Sequence, residues 1–522
     1  MSARAAMLFN LSIGFTRMNK IQIPVKILWL SGLLFFAAIP TPAAPSKMNR
    51  APVLKAANIT LAVDAKNSGA SIPSDFSGLS FEMSQLLPNA NGVHYFRADN
   101  QPLIRLFHTL GIKNLRIGGN TSDRDAKKLP GEADIDSLFA FAKAAGVKVI
   151  YCLRLHNGDP QTDARIAKYI MDHYANEIAC FSIGQEPSAY PKIAVTNSTR
   201  IAEGMGGSFE KFPYSAYAAE WKKFADTIIA AAPGAKFCGP SVHKNGAWAR
   251  QFMADFGQSN HVTLITEHLY PGGAGGKVKT PEIGRDRMLS DSFIKVYQKL
   301  CDSFVPLAVS NGLPYRLEEV NNYFNGGAKD VSDTFASALW GLDFMYWWAA
   351  HGAAGLNFHT GDKVAAGYTL RPSKYTAFFS TTNGFLVRPL GYGIKAFDLG
   401  SHGKFISAKI SNPENLNLSV YAILGDDKHL YITIINKEHG ESARDANVTL
   451  AGGTRFSSAQ IISLTAPNDD IAATAGTRLG GAEIKNDGSW NGKWTSLGKN
   501  EIGAFAMKIS AASASIIRLT GN

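Results

Sequence analysis

The feature that most narrows the fold of this chain is an eightfold alternation. Between Asp75 and about Gly361, short β-branched or apolar runs alternate with stretches of helical period. The runs are Phe76–Phe81, Asn114–Ile117, Lys148–Leu155, Ala179–Ile183, Lys236–Gly239, Val262–Thr266, Tyr315–Leu317 and Gly355–Phe358. Helical stretches among them include Ile135–Ala145, Thr162–Tyr174, Tyr214–Ala232, Trp248–Phe256 and Asp333–Ala350. Eight strands alternating with helices over roughly 290 residues make the repeat of an α/β fold, the (β/α)8 TIM barrel. A doubly wound sheet is the competing architecture. It calls for Gly-x-Gly-x-x-Gly after the first strand, and that motif does not follow it here.

Beyond Arg388 the pattern changes. Leu430–Asn436, Val448–Leu450, Ile461–Leu464 and Ile516–Leu519 read as strands, separated by turn clusters at Asn468-Asp-Asp and Asn486-Asp-Gly, with no helix expected. This predicts a C-terminal all-β sandwich. Pro52–Val63 also alternates like a strand and is expected to join that module. The predicted division is therefore 1–44 signal, 45–74 N-terminal strand segment, 75–385 barrel and 386–522 β-sandwich.

The signal rests on Ile27–Ala38, an apolar run too short to span a bilayer, preceded by basic residues and followed by Thr41-Pro-Ala-Ala44. Met18 is the better start for a signal of ordinary length. An uncleaved anchor is the competing reading; export to the periplasm or the extracellular space is the expectation. Thr334–Ala350 is very apolar but carries Thr334, Ser337 and Asp343, which predicts a buried helix, so no stable membrane span is expected after cleavage.

The net charge of +11 over 522 residues invites a polyanionic partner. Arg4, Arg17, Lys20 and Lys26 belong to the expected signal, and removing these four charges from +11 leaves +7. No Lys/Arg block and no aromatic–basic interleaving remain, so no nucleic acid partner is expected. Four cysteines are too few for a disulfide scaffold. Cys152, Cys180 and Cys238 on predicted strands, and Cys301 on a helix, read as buried thiols.

Active sites of such barrels gather at the C-terminal ends of the strands. There this chain carries Glu82, Gly118-Gly119-Asn120, His156-Asn157, Gln185-Glu186, His243, His268-x-Tyr270, Glu319-x-Asn321 and His359. Glu186 follows the fourth strand and Glu319 the seventh, so two carboxylates face one cavity from different sides. That pair is what glycoside hydrolysis requires: one carboxyl protonates the leaving oxygen while the other attacks the anomeric carbon. Arg116 on the second strand is placed to keep one of them ionised. Glu318 rivals Glu319. Adjacent strand residues point to opposite faces, so one of the two faces the cavity, and periodicity does not say which.

Four histidines at strand ends also raise a metal-dependent hydrolase, but neither His-x-His nor His-Glu-x-x-His occurs. No metal and no organic cofactor are expected. Gly-x-Ser-x-Gly is absent, which argues against a nucleophile-elbow hydrolase.

Several segments resemble glycoside hydrolase family 79, the β-glucuronidase and heparanase-like family of retaining barrel enzymes. They are Leu115-Arg-Ile-Gly-Gly-Asn120, Gly184-Gln-Glu-Pro187, Arg316-x-x-Glu-x-Asn321 and the run from Gly326-Gly through Val331-Ser-Asp-Thr-Phe-Ala-Ser-Ala-Leu-Trp340. The resemblance extends from about Phe76 to Phe397, and more loosely into the β-module. It implies Glu186 as acid/base and Glu319, rather than Glu318, as nucleophile. It implies Tyr270 as a hydrogen-bond donor to the nucleophile, and Glu82 and Asn120 as sugar ligands. It implies a uronate carboxylate bound by the loop containing Phe324, Asn325 and Gly326, with Tyr368 as a partner.

Two positions depart from the family pattern. Gln185 stands where Asn usually precedes the acid/base and touches the sugar 2-hydroxyl. Phe324 stands near where a tyrosine hydroxyl would meet the carboxylate. The implied function is an exported retaining exo-β-glucuronidase acting on a glycoside or oligosaccharide. The departures favour an alternative, a retaining glycosidase for a neutral or deoxy sugar. A catalytically silent carbohydrate-binding protein is the alternative of another class, and it predicts loss of a glutamate that this chain retains. The sequence sets no oligomeric state.

Overall fold

The computed structural model describes residues 55–191, 193–195, 208–363, 372–452 and 456–521. The expected signal over residues 1–44, the start of the 45–74 segment and Tyr368 lie outside the described residues.

Strand β1 (Ala57–Ser71) leads into the barrel. Its strands are β2 (Ser77–Glu82), β3 (Asn114–Gly118), β4 (Lys148–Leu153) and β5 (Ile178–Ile183), then, after a short hairpin of β6 (Ile193–Val195) and β7 (Ser208–Glu210), β8 (Phe237–His243), β9 (Val262–Leu269), β10 (Tyr315–Val320) and β11 (Gly355–His359). The eight barrel strands are parallel and closed in the order β10-β11-β2-β3-β4-β5-β8-β9. Each predicted run overlaps one of them, with Phe76, Lys236 and the Arg154–Leu155 end of the third run falling outside the strands. Strands β2, β8, β9, β10 and β11 reach further than the periodicity suggested, so Glu82, His243, His268, Glu319 and His359 sit within strands. Covered by helices outside and side chains inside, the strands are buried almost throughout.

The covering helices are α1 (Gln101–Thr109), α2 (Glu132–Ala145), α3 (Pro160–Tyr174), α4 (Tyr214–Ala231), α5 (Gly246–Phe256), α6 (Pro281–Met288), α7 (Asp291–Ser310) and α8 (Phe335–Ala350). Local chemistry sets their ends. Asp159 caps α3 by accepting from the amides of Gln161 and Thr162, with Pro160 in the first turn, and Gly146 closes α2 in the left-handed conformation. Helix α8 is buried on every side from Phe335 to Ala349. Its Asp343 accepts from Tyr421 (2.7 Å) and Lys437 (2.8 Å) of the β-domain. Among the described residues, no helix is long and apolar enough to cross a membrane.

The expected absence of helix beyond Arg388 is corrected by the structure. After the hairpin β12 (Phe378–Thr381) and β13 (Gly384–Val387), a ninth helix, α9 (Pro389–Gly400), packs along α8. Small residues allow the approach: a side chain at Gly393 would strike the Ala338 carbonyl. The barrel layer therefore runs to Gly400, past the expected boundary at 385/386.

The β-domain comprises β14 (Gly403–Ser411), β15 (Leu418–Gly425), β16 (Leu430–Asn436), β17 (Ala446–Leu450), β18 (Phe456–Thr465), β19 (Arg478–Leu479), β20 (Thr495–Leu497), β21 (Ala506–Ile509) and β22 (Ser513–Gly521). With β1 they form one ten-stranded sheet rather than two separate ones, in which β1 pairs antiparallel with β14 and parallel with β17. The sheet folds over itself, so Leu61, Val448 and Leu450 face Ile432, Ile434 and Ile517 across an apolar core. The opposite face of β16 turns to the barrel, where Thr433 donates to Tyr346 of α8.

Candidate active site

A cavity of about 590 Å³ opens at the C-terminal ends of the barrel strands. Glu82, Asn120, Glu186, Tyr270, Glu319, Phe324, Asn325 and Gly326 all line it, together with His243, His359, Arg124, Lys363 and Tyr375.

Glu319 is almost wholly buried, and both its oxygens are engaged. Arg116 donates to Oε2 at 2.7 Å, Gln185 Nε2 donates to the same oxygen at 3.1 Å, and Tyr270 donates to Oε1 at 2.9 Å. Burial pushes this carboxyl up, but the charges of His359, His268 and Arg116 and the Tyr270 bond outweigh it and hold it far below the usual carboxylate range. Arg116 is itself completely buried. The two glycines that follow β3's Ile117 make its room. A side chain at Gly118 would strike the Arg116 guanidinium, and one at Gly119 (φ 72°) would strike the Glu82 carboxylate.

Glu186 stands just past β5 in the left-handed conformation (φ 47°). Its amide donates to the carbonyl of Ser241 at 2.9 Å; Ser241 (φ 58°) is an extra residue in β8 relative to β9. Such local strain persists where surrounding contacts over-determine it. Oε1 meets His268 Nδ1 at 3.1 Å and Oε2 meets Arg124 at 3.3 Å. Burial raises the Glu186 carboxyl, the hydrogen bond and charge of His268 lower it, and Glu319 raises it again, with the balance below the ordinary value. An oxygen of Glu186, one of Glu319 and a ring nitrogen of His268 all lie within 4.8 Å of one another. Among the described residues this is the one set of side chains able to close on a metal ion, and it is the carboxylate pair itself.

Glu82 accepts from the Thr121 amide (2.9 Å) and hydroxyl (2.7 Å), and its other oxygen faces His359 at 3.5 Å. Asn120 accepts from Arg124 at 2.6 Å. The amides of Asn325 (φ 60°) and Gly326 (φ 79°) have no acceptor among the described residues. Phe324 packs edge-on to His243 and Tyr270.

Two expectations are corrected here. Gln185 does not reach into the cavity: the amide turns inward, bonding Arg116 with its oxygen and Glu319 with its nitrogen. The extra methylene over Asn is what spans that gap. Glu318 and Glu319 do not point to opposite faces either. Strand β10 carries one residue more than β9 across Leu317–Glu319, a bulge at Glu318, so both turn inward and Glu318 lies beneath the cavity. Of the four histidines, His268 and His359 brace carboxylates, His243 lines the cavity, and His156 packs against Tyr190. All four cysteines are buried free thiols. Tyr375 was not anticipated. It stands in the loop after β11, outside any recognised motif, and only packing beside Tyr270 and His359 brings it to the cavity.

Fold and site define the class: a (β/α)8 barrel of the glycoside hydrolase type with an appended β-domain. Residues 132–345, which carry both Glu186 and Glu319, match the glycosyl hydrolase family 79 N-terminal domain. Over that segment the chain is similar to the glycoside hydrolases of family 79. Over 112 residues it is 29% identical to a β-glucuronidase of Aspergillus niger, an alignment spanning 20% of this chain and 19% of that relative. The fold is shared with a 4-O-α-L-rhamnosyl-β-D-glucuronidase from Fusarium oxysporum (TM-score 0.63, 19% identity, 88% of this chain and 99% of that one). It is also shared with a family 51 arabinofuranosidase from Xanthomonas axonopodis pv. citri (TM-score 0.60, 13% identity, 89% and 100%).

Proposed function

We propose that this chain is an exported retaining exo-β-glucuronidase, with Glu319 as nucleophile and Glu186 as acid/base. The observation that carries this is the close approach of two differently held carboxylates, with an oxygen of each within 4.8 Å. Retaining pairs sit about 5–5.5 Å apart, whereas inverting pairs stand about 6.5–9.5 Å apart to admit a water. Glu319, kept ionised by Arg116, attacks the anomeric carbon as Glu186 protonates the departing oxygen. Formation of the glycosyl ester removes the Glu319 charge, one of the influences that raise the Glu186 carboxyl. Glu186 then takes a proton from the incoming water as it attacks the ester, and the sugar is released with net retention.

The free amides of Asn325 and Gly326, in consecutive left-handed residues, form a concavity suited to a carboxylate without a cationic side chain. Tyr375 supplies a phenol to the cavity that Phe324 lacks, and Lys363, held by the carbonyls of Ser84 and Leu87, lines it too. Two of the related proteins bear glucuronidase names, which agrees with a uronide substrate. Phe324 favours a second reading, a retaining glycosidase for a neutral or deoxy sugar.

A panel of p-nitrophenyl glycosides tests both readings. Cleavage of the β-glucuronide with release of β-glucuronic acid as first product supports the first. An inert β-glucuronide with another glycoside cleaved establishes the second. Signal cleavage is checked by the mass of the mature N-terminus.

A further inference from the structure

Glu318 has no part in the double displacement, yet it is a fully buried carboxylate directly beneath the cavity. The bulge in β10 brings it there. Its Oε1 faces His268 Nε2 at 3.5 Å, and neither atom has a hydrogen-bond partner elsewhere. Its Oε2 meets the weak donor Cys238 Sγ at 3.8 Å, and the Ser241 hydroxyl also helps to hold the carboxyl low. Among the described residues, His268 is the one basic group within ion-pair distance of it. A carboxylate this deep stays ionised only beside a cation; here the His268 imidazolium is the one in ion-pair reach, and the Arg116 charge adds to it from further off. The other ring nitrogen of His268 bonds Glu186. The chain Glu318–His268–Glu186 thus runs from the barrel interior to the cavity.

We propose that Glu318 is a positioning residue that keeps His268 protonated between two carboxylates and thereby sets the upper pH limit at which Glu186 has a proton to give. This rests on the reading of Glu186 as the acid/base. Joined by a 3.1 Å hydrogen bond, Glu186 and His268 titrate as a unit, and the unit holds at least one proton until the imidazolium is lost. Every charged or titratable group around His268 enters that balance. Burial lowers its proton affinity; Glu319, Glu186 and Glu318 raise it and Arg116 lowers it, leaving His268 at about 9. Glu267, the neighbour on β9, is buried with its carboxyl pushed up by burial, and His243 is pulled down to about 4 by burial. His243 is therefore neutral near pH 7, and burial shifts Glu267 towards its neutral form.

Glu318→Gln keeps the shape and removes the charge. The alkaline limb of kcat/KM, which reports the free enzyme, is expected to move acidward by about one pH unit or more, with the acid limb and KM unchanged. Glu318→Asp, which keeps the charge, is expected to restore most of the limb. A uniform loss of rate at every pH, with the limb in place, would assign Glu318 to packing alone and overturn the proposal. Selective ¹³C/¹⁵N labelling of histidines in the full chain gives a readout independent of turnover, with His268 assigned from the His268→Gln spectrum. A doubly protonated His268 at pH 7 supports the proposal and a neutral one overturns it, even if Glu318→Gln does not fold. If the wild-type chain cleaves no aryl glycoside, the functional reading fails while the histidine spectrum still decides the state of His268.

Discussion

The two carboxylates of the cavity differ less in burial than in what surrounds them. Glu319 is held by a permanent cation, Arg116, and by neutral donors from Gln185 and Tyr270. Glu186 is held by His268, which can itself lose a proton, and more distantly by Arg124. A carboxylate ringed by fixed donors stays ionised over the whole working range; one tied to an imidazole shares a proton with it. The difference is what the proposed mechanism uses to give opposite roles to identical side chains.

The largest expected effect separates the two at once. Glu319→Ala should reduce kcat by a factor on the order of 10⁴–10⁶ for every leaving group, because no other group there can form the ester. Near-normal turnover would falsify the nucleophile assignment. Glu186→Ala should cost on the order of 10²–10⁴, less for p-nitrophenol than for an alkyl alcohol that needs protonation, with azide restoring rate on the aryl substrate. Equal losses on both leaving groups would erase the distinction between the carboxylates. Tyr270→Phe removes one donor from a charged oxygen, about 1.5–3 kcal/mol, so kcat/KM should fall by about 10- to 150-fold. Its acid limb should also move upward, since that bond helps hold Glu319 low. An unmoved acid limb would mean that Tyr270 does not tune the nucleophile.

The smallest effect is on stability. Burial opposes the His268 charge, but the surrounding carboxylates raise the group to about 9, above the ordinary histidine value of 6.5. Its contribution to folding is therefore complete below about pH 6.5 and disappears as pH rises through about 9. Glu319 and Glu186, both lowered, contribute above the ordinary carboxylate range and lose their effect as pH falls through their folded values. The melting temperature should therefore peak between these limits and fall by about 2 °C or more from pH 6.5 to 9. The fall should be smaller in Glu318→Gln. A flat profile across that range would show that His268 is neutral in the folded chain.

Much of this architecture was legible because its signals are local. The eight runs mark strands that must be buried on both faces, and polar residues clustered at their ends mark the mouth of a barrel. Helix α9 was not legible, because Pro389-Leu-Gly-Tyr-Gly393 has poor helical propensity. Its glycines are repaid in close packing against α8, which no local pattern reports. Gln185 reads as a sugar ligand by position, yet it turns inward because Arg116 and Glu319, 69 and 134 residues away in the chain, meet its amide. Tyr375 carries no motif and becomes a cavity residue only where its loop folds beside Tyr270.

By itself, the sequence determined that this chain builds a parallel barrel with a β-domain, and that Glu186 and Glu319 stand at the ends of its fourth and seventh strands. Strand period and the order of elements suffice for that. The tertiary structure alone decided that a bulge turns Glu318 inward and that His268 bridges it to Glu186. It also decided that Arg116 reserves Glu319 in its ionised form. Those outcomes depend on burial and on distances between residues remote in the chain, and the affinity of a carboxyl for its proton follows from them.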